Sequence, residues 1–151
     1  MSWVQREIRL NERRRGCHLV HKEIVGQLPE LKSFKIGMAN VFLVKLTNDS
    51  VQHTSASLMI NENFDSDVQK DMEMGLNKIV SEDFPYIHTA EGPDDMPGHL
   101  KSGIVGVSLN IPITDGKLNL GTWQGIYLCE HRNHGGSRRV VVTLQGQQNK
   151  K

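Results

Sequence analysis

Between His88 and Leu100 the chain reads HTAEGPDDMPGHL, a stretch holding two histidines, three carboxylates, two prolines and two glycines. It is too polar for a core and too varied for a linker, and its side chains suit metal ligation or proton transfer. Asp94 and Asp95 stand at the start of a predicted short helix over about Met96 to Ile104, with Pro97 in its first turn. On that helix Asp95 and His99 lie four residues apart and face the same side. An imidazole oriented by a carboxylate is the usual state of a metal ligand or an acid–base histidine. The alternative is a capping aspartate beside a histidine bonded for structure alone.

Other segments carry related residue types. In HTSASLMI, read as a strand, His53, Ser55 and Ser57 share one face, and Thr54 takes the other with Ala56 and Leu58. That polar stripe is a site wall or the solvated face of a half-buried sheet. Asn61 and Glu62 follow just before Asp65, where a loop can present side chains, and Glu62 can bind a cation or handle a proton. In CEHR, residues 129–132, Glu130 and His131 point to opposite faces of a flat strand, and of the two His131 is the candidate. Trp123 and Gln124 offer a flat apolar surface beside an amide, for a stacked ring or for the core. Arg138 and Arg139 also alternate, so at most one faces a phosphate, and Arg139 is chosen; Lys101 is a further phosphate candidate. His18, His21 and His134 lack comparable surroundings.

A divalent metal is the expected cofactor. His88, His99 and His131, from separate segments, suit zinc with an open position. A pyrophosphate-bearing substrate would instead favour magnesium on oxygen ligands such as Glu62, Glu91, Asp94 or Asp95. No HExxH pair is present.

The elements that must position these residues are strands mixed with two or three helices. WVQREIRL, ANVFLVKL and SASLMI read as strands, and HLVHKEIVGQLPEL as a short helix ending near Pro29. Asp65 is a good N-cap for a helix whose stripe is Val68, Met72, Leu76 and Ile79. VGVSLNIPI, KLNLGTW, GIYLCEHR and RRVVVTLQ follow as strands, predicting an antiparallel meander. Segregated strands and helices argue for an α+β fold over a doubly wound sheet.

Composition narrows the partners. Eighteen basic and seventeen acidic residues leave a net charge of +1, and the RRR at Arg13 to Arg15 is the longest basic run, so nucleic acid is not an expected partner. No apolar run approaches a membrane span, and the first ten residues lack the apolar core of a signal peptide. Cys17 and Cys129 are far apart in sequence with no CxxC spacing, which predicts neither a disulfide framework nor a zinc ribbon. A reducing, cytoplasmic setting follows, and the NDS triplet at Asn48 is then a chance glycosylation match.

Four segments resemble the signature segments of the YjbQ family, described as secondary thiamine-phosphate synthases: HTSASLMINEN from His53, EGPDDMPGHLKS from Glu91, IPITDGKLNLGTWQGIYLCEHR from Ile111 and RRVVVTLQG from Arg138. The match runs from about Trp3 to about Gly146. It implies one α+β domain over residues 1–151, with a core at about 3–146, a polar tail at 147–151 and a largely antiparallel sheet with two or three helices. It also implies a homotrimer with polar pockets at subunit boundaries. The implied activity is a transfer joining a pyrimidine diphosphate to a thiazole phosphate with release of pyrophosphate. The alternatives are a metal- or phosphate-binding trimer and a metal-dependent hydrolase. With the residue reading, this makes His53, Glu62, Asp95 and His99 the catalytic candidates. Thr54, Ser55, Asn61, Lys101, Trp123, Gln124 and Arg139 are those for a small phosphorylated substrate. One departure from the family pattern is the extra VKLTNDSV before His53, where an odd shift of the strand would turn that histidine to the other face.

Overall fold

The computed structural model describes residues 1–44 and 54–149. The elements run β1 (Ser2–Arg9), β2 (Gly16–Leu19), α1 (His21–Val25), a 3-10 turn (Pro29–Ser33), β3 (Phe34–Val44), β4 (Ala56–Glu62), α2 (Ser66–Ile79), α3 (Asp95–Val105), β5 (Ser108–Thr114), β6 (Lys117–Leu118), β7 (Gln124–Glu130) and β8 (Arg139–Gln148). The fold is α+β and its strand pairs are antiparallel. One sheet has the order β1-β8-β3-β5-β6, the other β2-β7-β4.

The apolar pattern of each strand explains the layering. Alternate residues of β8, Val140, Val142 and Leu144, are fully buried, and with Ala39, Val41, Ile111 and Ile113 they form the inner face of the larger sheet. Against it pack Ala56 and Leu58 of β4 and Ile126 and Leu128 of β7. β7 is apolar on both sides: Tyr127 and Cys129 join a second cluster with Cys17 and Leu76, under α2. A strand buried on both faces belongs in the middle of a covered sheet. This corrects the expected meander, because β7 leaves for the smaller sheet and β8 returns to lie between β1 and β3.

Asp65 caps α2 as its side chain accepts the Asp67 N–H at 2.8 Å. Of the predicted stripe Leu76 is buried, Val68 and Met72 are half-buried, and Ile79 is 67% exposed. The two cysteines, distant in sequence, stand directly opposite each other on β2 and β7 and are free thiols. Asn48, His53 and most of the extra segment lie outside the described residues. No helix among the described residues is long and apolar enough to cross a membrane.

Candidate metal centre

α3 brings the opening stretch against the start of β4. The contact is close because Gly98 faces the sheet: a Cβ there would meet the Ser55 Cβ at 3.0 Å, with the side chains of His131 and Arg132 next nearest. Ser102, one turn further, donates to the Ala56 carbonyl at 2.8 Å and fixes the helix in place.

Asp95, in the first turn of α3, is fully buried. Its charge is favoured there by the helix N-terminus and by Arg132, whose Nη1 binds Oδ1. The other oxygen, Oδ2, lies 2.8 Å from His88 Nε2 and 3.3 Å from His99 Nε2. One ligand atom from each of these three residues falls within 4.8 Å of the others. The imidazole rings are tilted with centroids 5.5 Å apart.

The tautomer of His99 decides what this group can hold. Its Nδ1 lies 2.9 Å from the Thr54 carbonyl oxygen and 2.8 Å from the Thr54 hydroxyl. A carbonyl only accepts, so Nδ1 carries the hydrogen and donates it. In a neutral imidazole Nε2 then presents a lone pair to a carboxylate oxygen 3.3 Å away. Two lone pairs facing each other call for a cation between them, a proton or a metal ion.

Asp94 buttresses the site from behind. Burial works against its charge, but the Asn133 N–H at 2.8 Å and the Arg132 guanidinium outweigh that and hold its carboxyl below the usual range. Arg132 also donates to the Glu91 carbonyl at 2.8 Å, so one side chain ties the 91–95 segment to the end of β7. Arg132 is the residue that sequence reasoning passed over. The signal was present: two adjacent buried carboxylates require a cation, and Arg132 sits just past a buried strand.

The remaining candidates separate into distinct places. His131 is buried away from the group, its Nε2 2.9 Å from the Ser57 hydroxyl and its backbone N–H on the Ser55 carbonyl. Burial, then Lys101, Arg138 and Arg15, push its pKa down to about 3, so the ring is neutral. Ser55 is buried and accepts from Arg138 at 3.1 Å. Arg138, rather than Arg139, is the inward arginine: it makes a two-pronged pair with buried Glu130 at 2.7 Å, while Arg139 pairs with Glu7 at the surface. Lys101 is fully buried instead of reaching solvent, and its ammonium donates to Asn77, which also accepts from Arg15. Burial, with Arg15 next, lowers its pKa.

Asn61, Glu62, Trp123 and Gln124 form a second group at the opposite end of the smaller sheet, where Glu62 pairs with Gln124. Ala56 and Glu62 mark the two ends of β4, roughly 20 Å apart at the rise of a strand. Glu62 is therefore remote from Asp95 and His99 within one chain. Trp123 is not core: it is 58% exposed, edge-on to exposed Phe64 at 5.2 Å.

The two-sheet antiparallel α+β fold is one shared by solved structures of other proteins. Residues 6–147 match the family model described as UPF0047 protein YjbQ-like, and the chain belongs to that family. The UPF0047 protein YjbQ of Salmonella typhimurium is 48% identical over 145 residues, covering 96% of this chain and 99% of that protein. Its counterpart from Escherichia coli O157:H7 is 46% identical with the same coverage. A crystal structure of an uncharacterized yjbq/upf0047 family protein from Clostridium acetobutylicum has a TM-score of 0.74 at 31% identity, covering 94% of this chain and 99% of that one. A YbjQ-like protein of unknown function from Sulfolobus solfataricus shares the fold, with a TM-score of 0.80 at 20% identity and coverage of 97% and 99%.

These relatives correct the expected activity. The family and its close members are described only as UPF0047 proteins, so no thiamine-phosphate synthase activity passes to this chain, and the alternatives framed around that activity gain no support from them either.

Proposed function

We propose that His88, Asp95 and His99 bind one divalent transition-metal ion. The observation that carries the reading is the Nδ1–H of His99 donated to Thr54, which turns the Nε2 lone pair toward the Asp95 oxygen. Two imidazole nitrogens and one carboxylate oxygen suit zinc and its neighbours better than magnesium, which prefers an all-oxygen shell. Thr54 behind His99 and Arg132 behind Asp95 are the outer partners that orient ligands in such centres. His88 is half exposed, which leaves one side of the group open to a small ligand. When bound, the ion would supply Lewis-acid polarisation of an oxygen on that ligand.

Zinc affinity, measured by competition with a chromophoric chelator, tests this. The wild-type chain takes up one equivalent, and His99→Ala weakens binding by at least a hundredfold, beyond the roughly 10–100-fold cost of losing an outer partner. Equal stoichiometry and affinity in the folded variant would leave His99 bonded for structure alone.

The adjacent free thiols of Cys17 and Cys129 support a reducing, cytoplasmic compartment. Exposed Phe64 and Trp123, in edge-on contact at 5.2 Å, support self-association, as large apolar side chains gathered at a surface mark protein contacts. The expected assembly is a symmetric trimer. Light scattering should then return three times the 17.0 kDa chain mass at micromolar concentration, and a stable monomer would refute it.

A further inference from the structure

The RRR run and His134, neither of which the metal centre uses, meet in space. A cleft of about 790 Å³ is lined by Glu12, Arg13, Arg14, Arg15, Asn133 and His134. It lies between the segment entering β2 and the segment leaving β7, which the antiparallel pairing of Gly16 with Glu130 brings side by side.

Two of the guanidiniums are held in place. Arg13 is fixed by Glu23 at 2.8 Å and the Asn11 carbonyl at 3.3 Å. Arg15 is fixed by Asn77 at 2.6 Å, Glu73 at 3.1 Å and Glu82. A guanidinium has five N–H donors, so these bonds leave donors over on both. Arg14 is exposed, and its guanidinium has no hydrogen-bond or ion-pair partner among the described residues. The His134 ring is likewise exposed and without such a partner there. Glu12 is the one carboxylate of the lining, and since Glu23, Glu73 and Glu82 already pair with Arg13 and Arg15, the unmatched guanidinium is that of Arg14.

We infer that this cleft is a binding site for an oxyanion, a phosphate or carboxylate group of a small ligand. Forked N–H donors on immobilised guanidiniums match two oxygens of such a group. Arg14 supplies a guanidinium whose charge no partner among the described residues matches, and the exposed His134 ring beside it supplies a further polar edge. The site also has an address: Asn133 lines the cleft while its N–H donates to Asp94, and its neighbour Arg132 binds Asp94 and Asp95. The cleft and the His88–Asp95–His99 group thus flank one loop, yet oxyanion binding needs no metal.

The test uses amide NMR shifts of the chelator-treated protein, titrated with inorganic phosphate or with acetate while chloride keeps ionic strength constant. Saturable shifts at Arg13 to Arg15, Asn133 and His134 are expected for at least one of the two anions. Affinity should fall roughly tenfold in Arg14→Gln, as a charge-assisted bond is lost, and further in Arg14→Gln with His134→Asn, as the ring is removed as well. The anion that binds tighter assigns the ligand group. Shifts no larger than those from chloride, or an affinity unchanged in both variants, would overturn the site. Because no metal is present, a failure of the metal reading would not alter either result.

Discussion

Replacing Arg138 by methionine is expected to lower the unfolding free energy by about 3–5 kcal/mol, because it strands a charge in the core. Glu130 is fully buried, and both its oxygens are bonded by Arg138 at 2.7 Å. Its Oε1 also accepts the Arg132 N–H at 3.0 Å, so the pair holds the segment that leads into the metal-centre loop. The same change at Arg139, whose partner Glu7 is about half exposed, should cost under about 1 kcal/mol. Urea denaturation of both variants at pH 7 makes the comparison. A double change, Arg138→Met with Glu130→Leu, should recover most of the loss, since a buried pair replaced by apolar groups is often neutral. Equal costs at positions 138 and 139 would contradict the assignment of Arg138 as the inward residue.

Acid should destabilise the protein through His131. Its folded pKa of about 3 lies below its ordinary value of 6.5, so the unfolded chain takes up this proton first. The stability it contributes is fully present above pH 6.5 and is lost as pH falls from there toward about 3. Within that window the slope from this one group is about 1.4 kcal/mol per pH unit. The causes are burial first, then the positive charges of Lys101, Arg138 and Arg15. Asp94, also held low, adds a loss only below its ordinary 3.8, whereas His21, which burial also holds low, adds to the same slope, so the comparison of a His131 variant with the wild type between pH 7 and 4.5 is what isolates His131. His131→Gln, which keeps a polar group near Ser57, should flatten that slope. An unchanged slope would mean that His131 takes up its proton in the folded state.

How much could be read in the residues themselves follows from where the information sits. The spacing of Asp95 and His99 was legible because a helix fixes which side chains share a face, and α3 carries both as expected. The Asp65 cap of α2 was legible for the same local reason. His88 and His99 do meet at Asp95, but His131 stands apart on Ser57, a distinction that depends on where β7 ends against β4. Which of Arg138 and Arg139 turns inward depends on the register of β8 between β1 and β3, and the burial of Lys101 depends on α3 meeting β4 and on its ammonium reaching Asn77 of α2. Pairing across the smaller sheet also brought Cys17 to Cys129 and carried Glu62 away from Asp95. Each of these is a long-range relation that no local periodicity encodes.

The central claim is that His88, Asp95 and His99 hold a metal ion. Crystals grown with zinc and measured on both sides of the zinc absorption edge test it most directly. The account predicts one anomalous peak per chain, about 2.0–2.2 Å from His88 Nε2, His99 Nε2 and an Asp95 oxygen, as zinc bonds require. A zinc peak bound elsewhere with these three side chains still hydrogen-bonded to one another, or no peak at all, would contradict it.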